Sequence, residues 1–271
     1  NAITTVTVQR DIETEQTINF TFQARESTPA QALGTGQFRD FAVDGPNTIT
    51  TINANTNSGT FDLTVDNDVL FEDPETFEVV LAGLTARGVS FTGNVQTLVS
   101  TFTITDDAAD VAPDLTLDGN NPLALMETSG TRTFTVRLST RPGKTVTFQA
   151  DTIVATTPGV GDATSAGDTV DFDAVVANTI TFPALTNDAT RTFTVTINED
   201  LVNEADETFM VQISAVQNNA ATINAGTMQA QTVTIAANDP ATISINNPTA
   251  SEDIASGLMN FVASISIPTQ Q

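Results

Sequence analysis

The 271-residue chain contains no cysteine, histidine, tryptophan or tyrosine, and Lys144 is its one lysine. Each absence removes a class of chemistry. Without Cys and His there is no thiolate nucleophile, no Ser-His-Asp triad and no zinc site of the usual kind. Missing Cys also leaves the redox compartment unmarked. Paired carboxylates alone suggest a glycosidase, but with neither Trp nor Tyr no aromatic platform with a polar handle can hold a sugar. No enzyme is expected. No apolar run is long enough to cross a bilayer, and no secretory signal pattern is present. The abrupt start at Asn1-Ala2-Ile3 sets the expectation that the chain is a piece of a longer protein.

Positive charge is also scarce. Nine basic residues face 33 Asp and Glu, for a formal net charge of -24. Such a surface repels nucleic acid and anionic membranes and attracts cations. Neither nucleic-acid binding nor membrane insertion is expected. Hydrophobic residues make up 39% of the chain, too many for a disordered one. The length suits about two domains of roughly 100–150 residues.

What is present is period-two alternation, with little sign of helix. It is clearest at Thr4–Val8, Ile18–Phe22, Phe61–Val65, Phe77–Leu81, Phe102–Ile104, Phe134–Leu138, Val146–Phe148, Phe193–Ile197, Phe209–Ile213 and Val233–Ile235. Turn-rich segments separate these stretches. The pattern predicts an all-β chain of tandem, immunoglobulin-like antiparallel β-sandwiches.

An internal repeat organises the sequence. Phe77-Glu-Val-Val-Leu81 is echoed by Phe209-Met-Val-Gln-Ile213, and Phe102-Thr-Ile104 by Val233-Thr-Ile235. Asp114-Leu-Thr-Leu117 opens one copy and Ala241-Thr-Ile-Ser-Ile245 opens another. Residues 113–239 read as one whole sandwich. Residues 1–112 read as a sandwich lacking its first strand, with Val8 matching Val136. Residues 240–271 read as the first two strands of a third copy. Two explanations fit this frame: a fragment cut from a tandem array, or strand exchange, in which the C-terminal strands of one chain complete the edge of another.

Each copy carries a dense carboxylate group just before an alternating strand: Asp68, Glu72 and Glu75 before Thr76-Phe77, then Asp200, Glu204 and Glu207 before Thr208-Phe209. Phe77 and Phe209 read as core anchors. Clustered carboxylates are costly unless a cation or open water neutralises them, and nine basic residues cannot pair with most of them. Oxygen-only ligands select hard cations, and a loop-built cluster leans to calcium over magnesium. The EF-hand spacing is absent. Solvated turn and capping groups are the alternative reading of the same residues.

The acidic loop, the Glu-x-x-Glu-Thr-Phe element and the closing Thr-Ile followed by Asp or Asn together resemble the Calx-beta domain. The resemblance covers nearly the whole chain and implies further ligands. In the second copy these are Glu127, Asp171 before Phe172, the Val202 carbonyl, and the closing pair Asn238 and Asp239. In the first they are Asp40 before Phe41, the Leu70 carbonyl, and Asp106 with Asp107. The first-strand Glu has no counterpart in the first copy. Ala236 and Ala237 stand where the exchanger members of the family have acids, so one or two Ca2+ ions are expected.

The resemblance implies a calcium-stiffened structural or adhesive repeat module of an extracellular surface protein or filament. Neighbouring repeats and an unknown cell-surface or matrix ligand are its expected partners. The alternative it implies is a calcium-sensing regulatory module, as in sodium–calcium exchangers.

Overall fold

In the computed structural model, period-two alternation becomes strands throughout. The structure describes residues 2–27, 39–42, 48–154, 161–167, 170–223, 226–249, 252 and 258–269. The chain divides into two units, Asn1–Val111 and Ala112–Gln271. Among the described residues, no helix is long and apolar enough to cross a membrane.

The first unit contains β1 (Ala2–Gln9), β2 (Ile18–Glu26), β3 (Thr48–Ile52), β4 (Ser58–Val65), β5 (Glu75–Ala82) and β6 (Leu98–Ile104). One sheet has the order β3-β2-β5-β6, and β1 pairs with β4 in the other. Alternation decides which side chains turn inward: Ile18, Phe20, Phe22 and Ala24 of β2 are buried, as are Phe61 and Leu63 of β4. They form one core with Phe77, Val79 and Leu81 of β5. Phe22 of one sheet stacks on Phe61 of the other, with centroids 4.0 Å apart.

The second unit contains β7 (Asp114–Leu117), β8 (Leu123–Met126), β9 (Thr131–Leu138), β10 (Val146–Ile153), β11 (Asn178–Phe182), β12 (Thr190–Thr196), β13 (Glu207–Ser214), β14 (Thr222–Ile223) and β15 (Met228–Ala236). Its sheets have the orders β11-β10-β13-β15-β8 and β12-β9-β7-β14. Both supply the core, through Phe148, Phe182, Phe209 and Val233 on one side and Leu115, Phe134 and Phe193 on the other. Among the described residues the strands pair antiparallel apart from β14 with β7 and β15 with β8, and the isolated bridges Asp162–Thr208 and Asn203–Thr269 are also parallel. Sequence periodicity finds neither parallel partner for β15 nor the strands β3 and β11. Both pairings join residues about a hundred positions apart, which local pattern cannot reveal.

The two units share their strand registers. Val8 lies opposite Gly59 in the first, and Val136 lies opposite Arg191 in the second. After β15 come two short strands, β16 (Ile243–Ile245) and β17 (Ala263–Ile265), which among the described residues pair only with each other.

Candidate metal centre

Strand alternation and a short irregular segment build the site in each unit. In the second, Glu207 opens β13 and faces inward two residues before Phe209, so both side chains lie on the buried face. Asp171 precedes Phe172, which forms an isolated bridge to Ile197. The Asp171 backbone holds this segment in place: its N–H donates to the Thr164 carbonyl at 3.0 Å, and its carbonyl accepts from Asn198 N–H at 2.8 Å. Its carboxylate accepts from Thr164 N–H at 2.5 Å. Phe172 stacks on Phe209 with centroids 4.0 Å apart, which brings the adjoining Asp171 to Glu207.

Glu127 lies in the 3-10 turn Glu127–Ser129, which leads from β8, at the edge of the sheet that holds β13, to β9 of the other sheet. Asp200 shapes the acidic loop by accepting from Val202 N–H at 2.7 Å. Two carboxylate triads result. Glu127, Asp200 and Glu204 each offer an oxygen within 4.8 Å of the others, and so do Asp171, Glu204 and Glu207. Glu204 belongs to both. Glu127, Asp171 and Glu207 are only 5%, 5% and 3% exposed, an unusual position for acids.

Among the described residues, the first unit repeats the arrangement with one triad, Asp40, Glu72 and Glu75, again within 4.8 Å. Phe41 stacks on Phe77 at 4.4 Å and bridges Val65. Asp68 accepts from Leu70 N–H at 2.8 Å, the counterpart of the Asp200 turn. Asp106 accepts from Glu72 N–H at 3.0 Å, tying the closing stretch to the acidic loop. Asp107 instead caps its own turn, accepting from Ala109 and Asp110 N–H groups at 2.6 and 3.2 Å. A cavity of about 450 Å³ lies among Asp40, Asp68, Glu72, Glu75, Asp106 and Asp110.

The electrostatics match the crowding. Burial, then Asp40, Asp68 and Asp106, pushes Glu72 up from 4.5 to about 7. Burial and Asp40 push Glu75 up to about 8. Burial pushes Glu127 up to about 7, with Asp200 adding to it. Glu204 is also pushed up to about 7, by burial and then Asp171 and Asp200. Burial and Asp171 push Glu207 up to about 8. The leading causes of these shifts are burial and neighbouring carboxylates. The ion pairs Arg25–Glu78, Arg39–Asp66, Arg137–Asp118 and Arg191–Asp188 engage acids outside the triads.

Among the described residues, six buried side-chain oxygens lack a partner: Asp66 Oδ1 and Gln231 Oε1, which lie outside the predicted ligand set, and Asp68 Oδ2, Glu204 Oε1, Asn238 Oδ1 and Asp239 Oδ2. An orphaned buried acceptor is costly. The last four belong to the predicted ligand set, and an oxygen-only, anionic pocket with unused lone pairs fits a hard cation. Asn238 is further held by its amide, which donates to Glu199 at 2.9 Å. Sequence reading did not assign Glu199 or Asp110. Asp110 is raised by burial, Asp107 and Asp106. Its signal was the acidic run Asp106-Asp107-x-x-Asp110, one turn longer than the pair singled out. The structure brings Glu127, Asp171, Asp200, Glu204 and Glu207 together, and likewise Asp40, Glu72 and Glu75. Asp107 lines the first unit's cavity, with one carboxylate oxygen accepting from backbone N–H groups.

Fold and site together define a tandem of β-sandwich modules, each with a buried carboxylate cluster. The Calx-beta domain profile matches residues 2–108 and 119–241, and the chain belongs to that family. Similar solved structures include CBD12 from CALX1.2, 14% identical over 86% of this chain and 93% of that one, with a TM-score of 0.34. The calcium binding domain CBD12 of CALX1.1 is 18% identical over 79% and 74%, with a TM-score of 0.33. The apo-form Calx CBD1 domain is 17% identical over 47% and 99%, with a TM-score of 0.37. No curated protein matches the chain.

Proposed function

We propose that this chain is a calcium-stiffened structural or adhesive repeat module of an extracellular surface protein or filament. The observation that carries the reading is the twofold convergence of three carboxylates within 4.8 Å, at corresponding places in two tandem sandwiches. Calcium would be held by Asp171, Glu204 and Glu207, with Glu127 and Asp200 alongside, and in the first unit by Asp40, Glu72 and Glu75. Bound there, it supplies the positive charge that lets these acids ionise together. Asp68, Asp106, Asp107, Asn238, Asp239 and the Leu70 and Val202 carbonyls complete the proposed shell.

The mechanical consequence follows from connectivity. Asp106 links the closing stretch of the first unit to Glu72, and that unit ends at Val111. Neutralising the cluster orders the residues through which the chain leaves the sandwich. Neighbouring repeats, joined in sequence or through a shared strand, and a cell-surface or matrix ligand are the proposed partners. The acidic, cation-attracting composition suits surroundings where calcium is abundant and steady.

Titration calorimetry on chelator-treated protein tests the reading. Dissociation constants of roughly 10⁻⁴–10⁻³ M suit an extracellular structural ion, whereas micromolar affinity favours a sensor. Absence of calcium binding up to about 10 mM, well above that range, overturns the proposal. Small-angle scattering tests the mechanical part: calcium should change the maximum dimension relative to chelator.

A further inference from the structure

The first unit carries an open groove, with an apolar floor and polar residues such as Arg10, Asp11 and Asn94 around it, where the second carries its first strand. In the second unit, β7 lies between β9 and β14. Leu117 stands opposite Val136, and Leu115 beside Ile223. The Gln229 side chain bonds the Leu117 backbone through both amide atoms, at 2.7 and 3.3 Å. Leu115 and Leu117 are 0% and 5% exposed.

Strand register fixes the corresponding places in the first unit. Val8 pairs with Gly59 as Val136 pairs with Arg191. Arg10 N–H donates to the Asn57 carbonyl as Leu138 N–H donates to that of Ala189. Leu98 pairs with Leu81 as Gln229 pairs with Ile213. Phe91 follows Phe77 by the same interval that separates Ile223 from Phe209. Val8, Phe91 and Leu98, which thus occupy the places around β7, line one cavity of about 840 Å³ together with Ile18, Phe20 and Val89. Among the described residues, β1 is paired along one edge only, with β4.

A matching strand exists in the same chain. The ladder Ile243↔Ile265, Ser244↔Ser264, Ile245↔Ala263 reproduces Leu115↔Leu138, Thr116↔Arg137, Leu117↔Val136. Yet Ile243 and Ile245 are 79% and 62% exposed, and every residue of both strands is exposed. A two-stranded ladder of this length holds itself together weakly.

We propose that β16 of one copy of this chain docks in the groove of the first unit of a second copy. It adds antiparallel to the free edge of β1, with Ile245 opposite Val8 and both isoleucines in the cavity. The exchange gives up a short exposed ladder. It gains the same number of backbone pairings together with burial of two large aliphatic side chains. The interface is head-to-tail, so it extends into an open series rather than closing as a symmetric dimer. The net charge of -24 opposes association, and added salt strengthens it by screening.

Sedimentation of the full 271-residue chain over a range of concentrations tests this. The expected result is a concentration-dependent series above the monomer mass, enhanced by salt. The donor-blocked chain, Ile243→Asp with Ile245→Asp, carries changes only at exposed positions; it should stay monomeric and melt as the dilute, monomeric wild type does. The groove-blocked chain, Val89→Arg, should also stay monomeric. Mixing the two leaves one intact strand and one intact groove, and a 1:1 complex should form. A wild-type chain that stays monomeric overturns the proposal, including one whose first unit melts lower in the donor-blocked form, which would signal closure within one molecule. Association that survives donor blocking, or a mixture that stays monomeric, overturns it equally.

Discussion

Phe172 lies flat against Phe209, with ring centroids 4.0 Å apart and planes inclined by 14°. This stack sets the metal centre, because Asp171 precedes one ring directly and Glu207 shares the inward face of β13 with the other. Phe41 and Phe77 repeat the relationship at 4.4 Å and 18°, beside Asp40 and Glu75. Core packing therefore presses like charges together, and apolar burial supplies the free energy that holds them there.

Replacing Glu207 with Gln has opposite effects in the two states. Without calcium, Glu207→Gln raises the melting temperature, because the buried position disfavours the charged carboxylate. With calcium, affinity falls at least about tenfold, equivalent to about 1.4 kcal/mol, and the calcium-induced gain in melting temperature shrinks. Thermal melts with calcium and with chelator, paired with calorimetry, measure both. A variant that melts lower under chelator and binds calcium normally contradicts the assignment.

Stability should depend on pH in a sense set by the raised acids. Glu72, Glu127 and Glu204 sit near 7 and Glu75 and Glu207 near 8, all above an ordinary value of 4.5. The folded, cation-free chain thus holds these protons more tightly than the unfolded chain. That contribution is complete below about 4.5 and is lost as pH rises through about 7 to 8. Under chelator, the melting temperature should fall between pH 5 and 8. Calcium requires the ionised acids, so its stabilisation should grow over the same window. Equal pH slopes with and without calcium would remove these acids from the ligand set.

Glu127 belongs to only one triad of the second unit, whereas Glu204 belongs to both. Glu127→Gln should lower the number of bound calcium ions and leave the remaining binding nearly unchanged. Glu204→Gln should weaken all binding in that unit. Stoichiometry from calorimetry separates the two, and identical titrations for both variants would mean a single shared ion.

Gly59 packs where no side chain fits: a Cβ there would stand 2.5 Å from the Thr51 carbonyl oxygen. Gly59→Ala should cost about 1–3 kcal/mol through overpacking. It should lower the melting of the first unit by several degrees and leave calcium binding by the second unaltered. Differential scanning calorimetry with calorimetric titration checks both outcomes.

The acidic loops and the strands that carry Phe77 and Phe209 were legible because they are local. Glu72 and Glu75, like Glu204 and Glu207, are close in sequence, and period-two alternation exposes their strands directly. Glu127, Asp171 and Asp40 were reached through family resemblance, since nothing near them in sequence marks them as partners of the loops. Asp110 and Glu199 escaped because an acidic residue in an acidic chain carries no signal until its neighbours in space are known. The β7–β14 and β8–β15 pairings escaped for the same reason.

By itself, the sequence determined the all-β architecture, its tandem repetition, the excess of anionic oxygen and the exclusion of thiolate and imidazole chemistry. Alternation, composition and spacing are properties of the chain, and they survive without coordinates. Only the tertiary structure decided which acids meet within 4.8 Å, which are buried enough to resist ionisation, and that β1 of the first unit is paired along one edge only among the described residues. Those outcomes depend on how two sheets close over stacked phenylalanines, and closure is a property of packing between residues far apart in the chain.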